Sequence, residues 1–217
     1  MPSRVRYLVN LSMLSTIAYV VMVVGRIPVV SFLKYDPKDV IIVIGGLIYG
    51  PLSALLISVV VSLVEMITVS DTGWIGFVMN VLATCMFACT AAFVYKRSNS
   101  MMGAAAGLIG GSLLATAAML LWNYLVTPIY MGIPRAAVAA MLLPVFLPFN
   151  LLKTGLNSAL TMLIYKPVVN ALRSAGLIPV SDSVSALGSR QRLGVYVLSA
   201  LVLITCILYI MAKQGII

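Results

Sequence analysis

The chain is laid out as a succession of long apolar runs separated by short polar breaks, and this layout restricts the fold more than any single motif. The runs occupy residues 7–24, 52–69, 74–95, 101–126, 136–165 and 193–211, with a shorter one at 40–49. A helix crossing a bilayer needs roughly 20 apolar residues, so the long runs are of spanning length and 40–49 is not. Only 9% of the residues are charged, against about 25% in a soluble domain, while 62% are hydrophobic. So few charges cannot coat a water-facing surface, which excludes a soluble enzyme, a disordered chain and a nucleic-acid binder. The net charge of +9 then reports topology rather than affinity for nucleic acid. The expected fold class is all-α: a polytopic membrane helical bundle.

What is missing narrows the chemistry. The chain has no His, which removes His-based catalysis and His metal ligation. Of three cysteines, Cys85 and Cys89 lie one helical turn apart in an apolar run and Cys206 in another, where Cys acts as a small hydrophobe. No phosphate-binding G-x-x-x-x-G-K-[ST] loop occurs, so any energy comes from an ion gradient or a partner subunit. No cofactor and no metal is expected.

The breaks define the elements. Arg4 and Arg6 precede the first run as in a signal peptide, but no small-residue cleavage site follows, so it reads as the first span. Gly25, Arg26, Pro28, Lys34, Asp36 and Pro37 mark a loop. Gly50-Pro51 splits a short helix from the longer 52–69 run by a tight turn, with one long helix kinked at the proline as the competing description. Asp71, Thr72 and Gly73 form the next turn, and Pro144 and Pro148 interrupt the sixth run. With the N-terminus inside, Arg4, Arg6, Lys96, Arg97, Lys166, Arg173, Arg190 and Arg192 fall on the cytoplasmic side. Arg26, Lys34, Lys38, Arg135 and, if the last helix spans, Lys213 fall outside, so the bias favours a cytoplasmic N-terminus.

Lys153 is the most informative residue, because a charge inside a span costs roughly 2.5–3.5 kcal/mol on insertion scales and therefore faces a cavity or a partner. Asn150 and Asn157 share its helical face, and Thr154 and Thr161 extend it. The competing reading is a side chain snorkelling along about 18 Å of helix toward Tyr165. Asn123, in Trp122-Asn123-Tyr124, and Asn80 pose the same question on the fifth and fourth spans, while Tyr124 reads as interfacial. Together these amides and the lysine predict one pocket opening outward. Amides donate and accept, which suits a neutral heteroaromatic ring with alternating carbonyl and N–H groups. Asp36-Pro37-Lys38-Asp39 reads as a helix start with Asp36 as N-cap, over the pocket mouth, and Tyr35 as a lid residue. Gly103, Gly107, Gly111 and Ala115 form a close-packing stripe, and Ser12 and Thr16 a weaker small face on the first span.

The segments Tyr35-Asp36-Pro37-Lys38-Asp39-Val40, Tyr49-Gly50-Pro51-Leu52, Asn123 to Tyr130 and Leu147-Pro148-Phe149-Asn150-Leu151-Leu152-Lys153 resemble the riboflavin-specific S components of energy-coupling factor (ECF) transporters. The resemblance covers about residues 5–170. It implies a six-helix substrate-binding domain over 1–170, leaving 171–192 as a polar linker and 193–217 as an additional transmembrane helix. It implies a non-enzymatic, multi-pass protein of a bacterial plasma membrane that captures riboflavin from outside. The implied substrate-binding residues are Asn123, Asn150 and Lys153, with Asn80 beside them; Tyr35 and Asp39, in the 35–39 loop over the mouth, join them as candidate substrate-binding residues, and that loop would gate the mouth. The implied partners are a transmembrane coupling protein, two ATPase subunits and membrane lipid. Two features depart from the family pattern: the seventh apolar segment, and Ser12 and Thr16 where members often carry alanines against the coupling protein. Three alternatives remain open: the same fold binding thiamine, pantothenate or a deazapurine; a membrane-embedded enzyme holding a metal-bound pyrophosphate on Asp36 and Asp39; and a structural subunit without a ligand.

Overall fold

The computed structural model describes residues 4–30, 33–70, 72–174 and 189–213, which form seven helices and one β-hairpin. Helix α1 is Arg4–Gly25, and strands β1 (Ile27–Val30) and β2 (Leu33–Tyr35) pair antiparallel, with Ile27 opposite Tyr35. Helices α2 (Lys38–Tyr49), α3 (Pro51–Thr68), α4 (Gly73–Ser98) and α5 (Met101–Met131) follow. Helix α6 runs from Arg135 to Ser174 and α7 is Ser189–Lys213. Five helices, α1 and α3 to α6, are long and apolar enough to cross a membrane; the apolar part of α7, Tyr196–Ala212, is shorter.

Helix α2 has 12 residues, about 18 Å of rise, and cannot cross on its own. It is instead the axis of the bundle, buried from Lys38 to Leu47. Ile42, Val43 and Leu47 meet Leu14 and Ala18 of α1, Ile57 and Val61 of α3, Ala88 and Ala91 of α4, and Leu108 of α5 in one core. Lipid tails are as apolar as these side chains, so close fit rather than burial alone holds such helices together. The glycine stripe of α5 supplies it: a Cβ on Gly107 would stand 2.8 Å from the Ala91 carbonyl oxygen, and Gly111 lies as tightly on Phe87. Gly50 takes φ 99°, where only glycine is unstrained, and Pro51 opens α3 with its fixed φ. The chain therefore folds back at Gly50-Pro51 into two packed helices, and the kinked single helix is ruled out.

Pro144 in α6 is absorbed by a π-helical turn, Leu142–Phe146; the missing N–H is accommodated without ending the helix. Helix α4 carries a second π-helical turn at Cys85–Cys89, where Gly111 of α5 approaches Phe87.

Three expectations change. Residues read as plain loop after α1 contain the hairpin: Val29 and Tyr35 bury their side chains with Phe149, Leu152 and Leu156 of α6 and Ile210 of α7, and that burial orders the strands. Asp36 does not cap α2; the helix starts at Lys38, no side chain caps it, and Asp36 is drawn into ion pairs instead. Helix α6 continues through 171–174 and α7 starts at 189, so the linker is shorter than 171–192. Its residues 175–188, and Asp71 of the expected turn, lie outside the described residues.

Candidate functional site

A cavity of about 500 Å³ opens between α4, α5 and α6 beside the hairpin, within the range of about 300–1,000 Å³ typical of ligand pockets. Asn80 of α4, Asn123 of α5, and Asn150 and Lys153 of α6 all line it, as does Asp39. Sequence reasoning placed the amides and the lysine in one pocket with Asp39 over its mouth, and the bundle brings all five to one cavity lining. Apolar surface comes from Ile75, Met79, Met119, Trp122 and Phe149. The lining therefore combines an apolar part with a dense set of polar and charged side chains, among them Arg26, Lys34, Asp36 and Glu65.

Asn123 and Asn150 are each held by their own helix. Asn123 Nδ2 donates to the Met119 carbonyl at 2.7 Å while its Oδ1 accepts from Thr127 at 2.9 Å. Asn150 Nδ2 donates to the Phe146 carbonyl at 2.7 Å, the last residue of the π-helical turn. The turn that absorbs Pro144 thus also fixes Asn150. Each of these two amide nitrogens carries a second hydrogen beyond its own-helix bond.

Lys153 does not snorkel. Its Nζ lies 3.5 Å from Asp39 Oδ2 and 4.0 Å from Asp36 Oδ1, and its side chain is 13% exposed. Asp39 Oδ1 accepts from Thr84 Oγ1 at 2.7 Å, and Oδ2 from Asn157 Nδ2 at 3.2 Å. Tyr35 is placed differently from a lid: its ring is buried against α6, it is not in the cavity wall, and its hydroxyl donates to Asn157 Oδ1 at 2.9 Å. Burial, then Asp39 and Asp36, pushes the Tyr35 phenol above its ordinary pKa and keeps it a donor. For Asp36 burial acts upward, but Lys153, Lys38 and Arg26 outweigh it and hold the carboxyl below the usual range. Asp36 Oδ1 has no hydrogen-bond partner among the described residues, although it is buried at the cavity wall.

A sequence profile described as ECF transporter, substrate-specific component, matches residues 6–165. The chain belongs to this family. It is similar to the riboflavin transporter FmnP of Bacillus subtilis, 32% identical over 188 residues, covering 79% of this chain and 98% of the relative. The riboflavin transporter RibU of Staphylococcus aureus is 29% identical over 76% of this chain and 92% of its own length. Among solved structures, one titled as the structure and mechanism of the S component of a bacterial ECF transporter superposes with a TM-score of 0.67 at 27% identity. It covers 79% of this chain and 99% of that one.

Sequence reasoning missed part of this S component's site. Glu65 of α3 bonds both Arg26 and Lys38 and accepts from Asn80 Nδ2 at 3.0 Å. Lys38, expected among outer-loop cations, is fully buried, 3.8 Å from Asp36. Three cations, Arg26, Lys38 and Lys153, thus face three acids, Asp36, Asp39 and Glu65, in one balanced network, as buried charges require. The signal for Glu65 was present: a lone acid in the 52–69 run, three and seven residues after Ser62 and Ser58 on one helical face.

Proposed function

We propose that this chain is the riboflavin-binding subunit of an ECF-type uptake system, with Asn80, Asn123, Asn150 and Lys153 holding the flavin. The observation that carries this reading is the convergence of those four side chains on a single slot with aromatic and thioether walls. An isoalloxazine edge alternates carbonyl and N–H groups, and each amide matches such a pair. Trp122 and Phe149 offer faces for the ring. The internal charge balance suits a neutral ligand, which brings no charge to offset. It also disfavours a metal-bound pyrophosphate on Asp36 and Asp39, whose carboxylates already face Lys153 and Lys38. The curated relatives are named as riboflavin transporters, which supports extending that ligand to this chain.

The chain is a multi-pass membrane protein of a transporter family. In this reading its N-terminus is cytoplasmic, the cavity opens outward, and a coupling protein with two ATPase subunits supplies the energy. Ser12 and Thr16 of α1 are exposed and available to such a partner, and Thr16 keeps its hydroxyl on the Ser12 carbonyl of its own helix at 3.0 Å. The test is a thermal-stability screen of the purified chain against riboflavin, thiamine and pantothenate. Only a true ligand raises the melting temperature by mass action. Riboflavin alone is expected to do so; a shift with another vitamin and none with riboflavin overturns the assignment.

A further inference from the structure

Glu65 stands in the last turn of α3, is 4% exposed, and grips both ends of the hairpin segment. Its Oε1 takes Arg26, the residue immediately before β1, and its Oε2 takes Lys38, three residues after β2. One carboxylate on a packed helix therefore clamps both roots of the segment that supplies Arg26, Leu33, Lys34 and Asp36 to the cavity wall. The same Oε2 accepts from Asn80 on the opposite wall, so the clamp is joined to a proposed ligand contact. Arg26 leans on this bond: among the described residues its other hydrogen bond goes to the Met22 sulfur at 3.1 Å, and its buried Nε has no hydrogen-bond partner there. Lys38, by contrast, keeps Asp36 at 3.8 Å when Glu65 is neutralised.

We propose that Glu65 is a positioning residue that latches the hairpin over the cavity and sets how long a bound ligand stays. The proposal rests on the reading of the cavity as a flavin site. A latch made of contacts in the closed state resists departure more than arrival, so its loss acts mainly on dissociation.

The experiment compares the full-length chain with Glu65→Gln, Arg26→Gln and the double variant in detergent, using stopped-flow riboflavin fluorescence. A charge-assisted bond lost from the closed state predicts dissociation about tenfold faster in each single variant, with association changed far less. The double variant is expected to release flavin no faster than the quicker single one, because both remove one latch. Hydrogen exchange of the ligand-free proteins is expected to quicken at the amides of Ile27–Val30 and Leu33–Tyr35. A residue that merely supports the fold lowers the melting temperature and leaves the dissociation rate unchanged. Unchanged dissociation in both single variants, or effects that multiply in the double, overturns the proposal. If Glu65→Gln does not fold, Arg26→Gln alone carries the rate and exchange tests. If the unaltered chain binds no riboflavin, the flavin reading fails, and the exchange measurement still decides the latch.

Discussion

Lys153→Met keeps an unbranched side chain one atom shorter and removes the charge, which separates two tasks that Lys153 performs at once. In the free protein its ammonium neutralises Asp39 at 3.5 Å and shares Asp36 at 4.0 Å with Lys38. Removing one partner from a buried pair costs roughly 3–5 kcal/mol, because the remaining charge is left uncompensated. The lower end applies here: Asp39 keeps neutral donors in Thr84 and Asn157, and Asp36 keeps Lys38. Lys153→Met is therefore expected to lose about 3 kcal/mol of stability. Pairing it with Asp39→Asn removes the orphaned charge and should recover most of that loss. Binding should not recover, since the ammonium that would donate to the flavin is still absent. A charge-assisted hydrogen bond is worth roughly 1.5–3 kcal/mol, which corresponds to about a 10- to 150-fold weaker Kd in both variants. The assay is riboflavin fluorescence quenching beside a melting curve for each protein. Full-affinity binding by Lys153→Met, or a double variant as unstable as the single, refutes the reasoning.

Asn123→Ala and Asn150→Ala should each weaken riboflavin binding by about tenfold at unchanged yield, because their own-helix bonds are local while the proposed binding mode uses their spare N–H groups; unaltered titrations in both remove the amides from the site. Asp36→Asn should weaken riboflavin more than lumiflavin, which lacks the hydroxylated chain, since Asp36 Oδ1 pairs with Lys153 only at 4.0 Å, has no hydrogen-bond partner among the described residues and is an acceptor for a hydroxyl; equal loss for both ligands contradicts this. Asp36 has a depressed folded-state pKa, so its contribution is present above the ordinary carboxylate pKa and is lost as pH falls through the lower folded value. Melting temperature should accordingly hold level down to about pH 4 and then fall, and a decline that begins near pH 6 contradicts that sign. Ending the chain at Ser174 should leave riboflavin affinity intact, because the neighbours Ile210 gives to Leu152 and Leu156 can be replaced by lipid tails; a truncated chain that folds and does not bind assigns α7 a direct part in the site.

Much of the architecture was legible because the bilayer leaves so few options. Apolar runs of spanning length marked the crossing helices, and Gly50-Pro51 marked the fold-back through a backbone angle that other residues resist. The four cavity-lining side chains Asn80, Asn123, Asn150 and Lys153 were legible for the opposite reason: an amide or a lysine in hydrocarbon is costly enough to demand a partner or a cavity. The hairpin was not, since Val29 and Tyr35 sit among turn residues and gain their strand geometry from a surface on α6 and α7 that local sequence does not reveal. Lys38 misled because a cation next to Pro37 and Asp36 looks like a solvated loop charge, whereas long-range pairing with Glu65 draws it wholly inside. Tyr35 was placed at the mouth by its position in the chain; its hydroxyl instead reaches Asn157, more than a hundred residues away.

The central claim is that the slot between α4, α5 and α6 holds riboflavin. The direct measurement is the visible absorption and fluorescence of the chain purified in mild detergent from cells grown with riboflavin. The expected result is a flavin spectrum that stays with the protein through purification and is released on denaturation. A colourless preparation that also fails to quench the fluorescence of added riboflavin contradicts it.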